Sequence, residues 1–299
     1  MYHIDQITLD REPRERIIRR LPEVSEGIKM YEFDSAFLCG LLRESRPRKI
    51  LEVGVADGGS TAVILQAMTD LGAPFSLHSV DIRTRAFRAP DLEIGYLGSR
   101  AAQELNAADS FFLHSGVILP QVIEDIGGEI DFLILDTAHT LPGETLDFLT
   151  AFPFLSPDAM VCLHDIRQNL KLPPSSMNIA TNVLYHSVAA EKYLNTDETR
   201  QPDLCPNTGA FRCTEDTARY IGNVFGTLTQ NWFRMPGEDE LHAYEAILRS
   251  NYQAEELWLY EKAVAMNRAA LAFSGQKVSG MGISGGFRRA LRRVFHPDR

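Results

Sequence analysis

Long apolar runs are what this sequence most plainly lacks. Of its 299 residues 44% are hydrophobic, yet no stretch approaches the roughly 20 uninterrupted apolar positions of a membrane-spanning helix. The chain therefore reads as a soluble globular protein, long enough for one large domain or a core domain with an appendage. The first twenty residues, MYHIDQITLDREPRERIIRR, hold no apolar core of the kind a secretory signal needs. Cysteine is scarce, and Cys39, Cys162, Cys205 and Cys213 make no C-x-x-C pair. That argues against a disulfide framework or a zinc site and for reduced, packed thiols in a cytoplasmic protein. Basic charge is in deficit, 30 Lys and Arg against 40 Asp and Glu for a net charge of −10. A nucleic-acid partner is disfavoured by that sign.

What is present centres on Lys49–Met68, KILEVGVADGGSTAVILQAM. Ile50, Leu51 and Val53 make a short apolar run with the β-branched residues of a buried parallel strand. Gly54, Gly58 and Gly59 break it, and Ser60–Thr61 open an apolar segment of helical character. Strand, glycine turn and helix begin a nucleotide-binding α/β unit, in which a ligand approaches the bare backbone and the helix N-terminus offers unpaired N–H groups. A dinucleotide fingerprint, G-x-G-x-x-G, would need glycine at position 56, where Ala56 stands.

Further strands follow at regular intervals. Pro74–Ile82 ends near Asp81, where an acid of a Rossmann-like sheet bonds the ribose hydroxyls of an adenosine. Ser110–Ser115 is a third strand, with Ser115 close to where adenine would lie, and Val117–Ile126 reads as a helix stopped by Gly127–Gly128. Glu129–Asp136 is the most strand-like run and ends in an acid, followed by His139. Ala159–Asp165 ends in His164 and Asp165. The predicted fold is α/β, a Rossmann-like doubly wound, mostly parallel sheet. Its carboxyl edge gathers Glu52, Asp81, Asp136, His139, His164 and Asp165. Arg83, Arg85 and Arg88 are either a clamp for an anionic substrate or solubilising charges on a loop.

Flanking segments complete the expected layout. Residues 1–46 form a helical N-terminal cover, including a helix from Ser25 to Arg43. Residues 47–215 are the core, with a Pro-Pro loop after Ile166 as a lid and an added strand at Gly209–Cys213. Residues 216–273 are a helical appendage, a cap or a dimer interface, and the protein is expected to be a homo-oligomer. Residues 274–299 are a glycine-serine linker and a basic tail, Phe287–Arg299, suited to a surface or partner contact or simply solvated.

Four motifs in order carry a family resemblance: EVGVADGGS (Glu52–Ser60), VDI (Val80–Ile82), LDTAH (Leu135–His139) and LHD (Leu163–Asp165). Over about Arg48–Ile166 the chain resembles class I S-adenosylmethionine-dependent methyltransferases, specifically the catechol O-methyltransferase-like group with its macrocin-type sugar O-methyltransferases. The resemblance implies that Glu52, Gly54, Ala56, Gly58, Ser60, Asp81, Ser115 and Asp136 hold S-adenosylmethionine. It also implies a divalent metal, magnesium, manganese or another, on Asp136 and Asp165, and His139 as general base. The third oxygen ligand of that group is replaced here by His164 or Ile166. So either His164 ligates a softer ion, or the metal is weak or lost and His139 and His164 act as an acid–base pair. The implied reaction is methyl transfer to a hydroxyl of a small molecule, a sugar or other polyhydroxylated metabolite. The alternatives are an NAD-type oxidoreductase, which Ala56 opposes, a glycosyltransferase, for which no D-x-D motif is present, and a non-catalytic cofactor-binding assembly protein.

Overall fold

The computed structural model of the chain describes residues 2–4, 7–86, 88–170, 179–194 and 207–280. A short strand, β1 (Tyr2–Ile4), and the helices α1 (Glu12–Arg20), α2 (Val24–Gly27) and α3 (Glu32–Ser45) precede the core. The core runs β2 (Lys49–Val53), α4 (Gly59–Leu71), β3 (Ser76–Asp81), α5 (Tyr96–Glu104), β4 (Phe111–Ser115), α6 (Ile123–Ile126), β5 (Ile130–Leu135), α7 (Gly143–Ala151) and β6 (Leu155–Leu163). Then come α8 (Ala180–Ser187), β7 (Glu191–Leu194), β8 (Gly209–Arg212), α9 (Glu215–Arg219), α10 (Gly222–Thr227), α11 (Glu238–Asn251) and α12 (Ala254–Gly280).

These strands form one eight-stranded sheet in the order β1-β7-β8-β6-β5-β2-β3-β4. Its described pairings are parallel except those of β8, which runs antiparallel to both β6 and β7. The doubly wound, mostly parallel sheet read from the sequence is therefore present. Strand order reverses at β2 and β5, so a crevice opens beyond their carboxyl ends.

Both sheet faces are covered, as parallel strands require. Leu51, Val53, Leu133, Leu135, Val161 and Leu163 join one apolar cluster, with residues of α7, α8 and the C-terminal helices. Ile50, Leu77, Phe132, Ile134, Met160 and Cys162 join the other, with residues of α1, α3 and α4. The period of two is thus real, although each strand reads as a continuous apolar run. The described cysteines Cys39, Cys162 and Cys213 are free and buried.

Several boundaries differ from the sequence reading. The helix expected over Ser25–Arg43 is two helices, α2 and α3, and at Gly27, the last residue of α2, a Cβ would lie 2.0 Å from Leu97 Cδ1. The chain leaves α2 extended at Ile28 before α3 begins. The helix expected over Val117–Ile126 is a 3₁₀ turn, Leu119–Gln121, followed by the four-residue α6. Pro120 supplies no N–H to continue a helix from the preceding turn. β1 and β7 were not anticipated, being short and at the far edge of the sheet. α12 continues through Ser274–Gly280, where a linker was expected. Cys205, the Pro173–Pro174 loop and the basic tail lie outside the described residues. Among those described, no helix is long and apolar enough to cross a membrane.

The C-terminal helices are fastened to the core. Leu241, Tyr244, Ile247, Leu248 and Tyr260 are buried in the same cluster as the sheet. Tyr244 donates its hydroxyl proton to Asp147 Oδ1 on α7 at 2.9 Å, and Tyr252 donates to the Leu149 carbonyl at 2.6 Å. Burial pushes the Asp147 carboxyl up to about 7, against the lowering effect of the Tyr244 bond. The folded protein thus keeps a proton that the unfolded chain releases near pH 4, and stability falls as pH rises between those values. Asp147→Asn keeps an acceptor for Tyr244 and has no proton to lose. It is expected to be more stable than the parent at pH 8 and, below about pH 7, to lose that advantage by about 1.4 kcal/mol per pH unit toward pH 5, in urea unfolding. Parallel stability curves for the two proteins would refute the assignment.

Candidate functional site

At the switch point the β2–α4 turn is shaped by contacts no side chain would tolerate. Gly54 has φ +94°, and a Cβ on it would lie 2.0 Å from the Asp136 carbonyl oxygen at the end of β5. The Asp136 N–H in turn donates to the Val53 carbonyl at 3.0 Å. Ala56, at the middle position of the glycine motif, is itself left-handed with φ 50°. Alanine there keeps the conformation glycine would take, at a cost of about 1 kcal/mol or more.

Asp81 ties this turn to β3. Its Oδ2 accepts the N–H groups of Val55 and Ala56 at 2.9 and 3.0 Å, and its Oδ1 accepts that of Arg83 at 2.9 Å. A cavity of about 520 Å³ opens over the turn, lined by Gly54–Asp57, Asp81–Arg83, Val117–Leu119 and Asp136–Ala138. It extends along Leu141–Asp147 to Arg234, Glu240 and Tyr244, so the C-terminal region supplies part of its wall. The volume suits a ligand of nucleoside size.

Not every residue expected at the ligand is there. Glu52 is 1% exposed and lies beneath the turn, where its oxygens accept the hydroxyls of Ser60, Thr61 and Ser79 at 2.8, 2.8 and 2.6 Å. Burial raises its carboxyl to about 7, with the three hydroxyls working the other way. Glu52 therefore braces the β2–α4 unit from within instead of lining the cavity, and Ser60 is spent on it. Gly58 shapes the turn at φ +88°, and neither it nor Ser115 lines the cavity. Of the three arginines, Arg83 and Arg88 line it while Arg85 does not, and Arg88 pairs with buried Asp57 at 3.3 Å.

Asp136, His139, His164 and Asp165 do come together at the ends of β5 and β6. His139 Nε2 lies 3.1 Å from Asp165 Oδ2 and 3.6 Å from Asp136 Oδ1. His164 Nδ1 lies 3.1 Å from Asp136 Oδ1 and 3.6 Å from Asp165 Oδ2. Two residues that sequence reasoning missed complete the group. Glu144, fully buried at the start of α7, accepts the His139 backbone N–H at 2.7 Å and has Oε1 3.2 Å from His139 Nδ1. Asn207, just before β8, donates from Nδ2 to Asp165 Oδ1. Neither stands in a motif, and their neighbours, Pro142, Gly143 and Thr145 for the one and Pro206, Thr208 and Gly209 for the other, give no signal in the sequence.

Charges in the cluster are strongly coupled. Burial would lower both imidazoles, but the carboxylates prevail: Asp165 and Glu144 raise His139 to about 10, and Asp136 and Asp165 raise His164 to about 9. For Asp165 burial acts upward, yet His139 and His164 hold it down at about 2. A histidine already carrying a proton cannot accept another, which weighs against the base role expected of His139. The donor atoms do suit a cation. One oxygen each from Asp136 and Asp165 and one imidazole nitrogen of His139 lie within 4.8 Å of one another, on residues half-buried at the crevice. His164 is outside that trio and holds Asp136 instead, with its own Nε2 buried and without a hydrogen-bond partner among the described residues.

Comparison with known proteins accords with this geometry. Residues 51–166 match the family model of a methyltransferase domain. No curated protein matches the chain. Among solved structures, cofactor-bound Rv0187 from MTB is similar with a TM-score of 0.50 at 14% identity, over 67% of this chain and 90% of that one. The O-methyltransferase of Bacillus cereus in complex with SAH gives 0.47 at 13% identity, over 71% and 94%. TomG of Streptomyces achromogenes, an O-methyltransferase involved in tomaymycin synthesis and seen with SAM, gives 0.48 at 17% identity, over 70% and 92%. Residues 51–166 thus carry a methyltransferase domain, set in a sheet of Rossmann-like order.

Proposed function

We propose that the protein transfers a methyl group from S-adenosylmethionine to a hydroxyl of a small polyhydroxylated molecule, a sugar or similar metabolite, with help from a divalent cation. The observation that carries this reading is the trio Asp136, His139 and Asp165, set beside the cavity at the switch point. A methyltransferase working on carbon or on an amine has no need of such a donor set. The cavity wall at Gly54–Asp57 takes the methionine end of the cofactor, and Asp81 takes the ribose hydroxyls with the acceptor capacity its three N–H bonds leave free. We also infer a cytoplasmic setting, in keeping with three buried free thiols, and assembly as a homo-oligomer.

The chain's residues divide the work as follows. Glu144 Oε1, 3.2 Å from His139 Nδ1, favours a proton on that nitrogen and leaves Nε2, which faces Asp136 and Asp165, as the nitrogen for a cation. His164 anchors Asp136 from the opposite side. A cation on the trio would acidify the acceptor hydroxyl. Asp136, which lines the cavity, would accept the hydrogen bond and then the proton of that hydroxyl. The hydroxyl oxygen attacks the methyl carbon in line, the O–C bond forms as the S–C bond breaks, and the electron pair stays on sulfur. His139 is thus reassigned from base to ligand.

Three results are expected. Calorimetric titration shows binding of S-adenosylmethionine and none of NAD; the reverse would return the turn to the oxidoreductase reading. Asp81→Ala weakens that binding roughly tenfold or more, the worth of a hydrogen bond to a charged group, and unchanged affinity would remove Asp81 from the ribose. His139→Ala lowers turnover of hydroxylated acceptors at least ~100-fold, as does EDTA, with manganese restoring only the parent, while cofactor affinity stays within about twofold. Full activity in EDTA would sink the cation.

A further inference from the structure

We propose that Asn207 is the fourth protein ligand of the cation, supplying through its side-chain carbonyl the oxygen that Ile166 cannot; this rests on the cation reading given above. Asn207 is 3% exposed. Its Nδ2 is hydrogen-bonded to Asp165 Oδ1, while its Oδ1 is buried with no hydrogen-bond partner among the described residues. A primary amide placed out of water with its acceptor unused costs stability of the order of 1–3 kcal/mol, which an apolar residue of similar size would avoid. The oxygen therefore keeps acceptor capacity that a cation could use.

Backbone geometry holds this amide at the cluster. β8 enters the sheet antiparallel to β6, with Gly209 opposite Leu163, and the Ile166 N–H donates to the Asn207 carbonyl at 2.9 Å. Asn207 is thereby pinned beside Asp165, whatever its side chain does. Ile166 faces the other way, buried in the apolar cluster, where a Cβ on Gly209 would meet its Cδ1 at 2.8 Å. The position after the second acid is thus committed to packing, and the oxygen donor arrives from a different strand. Half a turn about the last side-chain torsion exchanges the amide nitrogen for its oxygen at the same place, giving up one hydrogen bond to Asp165. The full donor set would be two carboxylates, one amide oxygen and one imidazole, which suits manganese or ferrous ion better than magnesium.

The test is manganese binding to the purified full-length chain, followed by electron paramagnetic resonance and by calorimetry, in the parent, Asn207→Ala, Asn207→Asp and Asp165→Asn. The expected pattern is parent affinity, a loss of at least about tenfold for Asn207→Ala, retained or tighter binding for Asn207→Asp, and near-complete loss for Asp165→Asn. S-adenosylmethionine affinity in EDTA and the far-ultraviolet spectrum should be shared by parent and Asn207→Ala. Manganese binding by Asn207→Ala equal to the parent, with Asp165→Asn defective, would overturn the proposal and leave the trio standing. A parent that binds the cofactor but no manganese would overturn both. If Asn207→Ala fails to fold, Asn207→Asp still decides: an oxygen ligand predicts retained or tighter binding, and a loss there refutes it.

Discussion

Everything at the carboxyl edge depends on how closely β2 and β5 approach where the sheet reverses direction. The Gly54 backbone lies against the Asp136 carbonyl with no room for a methyl group. That approach sets the turn above β2 beside the acid that ends β5, so one wall of the cavity and one corner of the His–Asp cluster share a single contact. Asp81 reinforces it from the next strand by gripping two N–H groups of the turn, and Glu52 does so from below through three hydroxyls. The site is preorganised by backbone and by buried acids before any ligand arrives.

Strain is concentrated at the same edge. Ala56, His139 and Asp165 are non-glycine residues in the left-handed region, with φ of 50°, 58° and 58°. They stand just past the ends of β2, β5 and β6, the three adjacent strands at the crevice. Such conformations cost about 1–3 kcal/mol each and persist where neighbours over-determine them. For His139 the neighbours are visible: Glu144 takes its N–H and the Ala180 N–H takes its carbonyl. For Asp165 they include Gln168 and Asn207 on its carboxylate and Thr181 on its carbonyl.

The central strands were legible in the sequence because a buried parallel strand is written as an apolar run closed by glycine or an acid. β2 through β6 appear close to where those runs lie. β1 and β7 were not legible, since three- and four-residue strands at a sheet edge carry too little pattern to stand out. Glu52 shows what a motif leaves out. It shares strand parity with Ile50 and so faces the α4 side, which sends its carboxylate beneath the turn and not over it. Glu144 and Asn207 were invisible for a different reason: each acts through a contact with a residue distant in the chain or shielded by a helix start, and no local spacing encodes that.

The segment that matches the methyltransferase family, residues 51–166, is less than half of the chain, and one face of its sheet is sealed by residues that come much later. Phe211, Val224, Phe225, Leu241, Leu248 and Tyr260 share a cluster with Leu133, Leu146, Phe148 and Leu163. The matched segment is therefore only part of the packed unit. On the ribosome, the matched segment emerges with that face still open to water and is covered in stages, from Leu184 and Phe211 to Tyr260, as the rest of the chain follows.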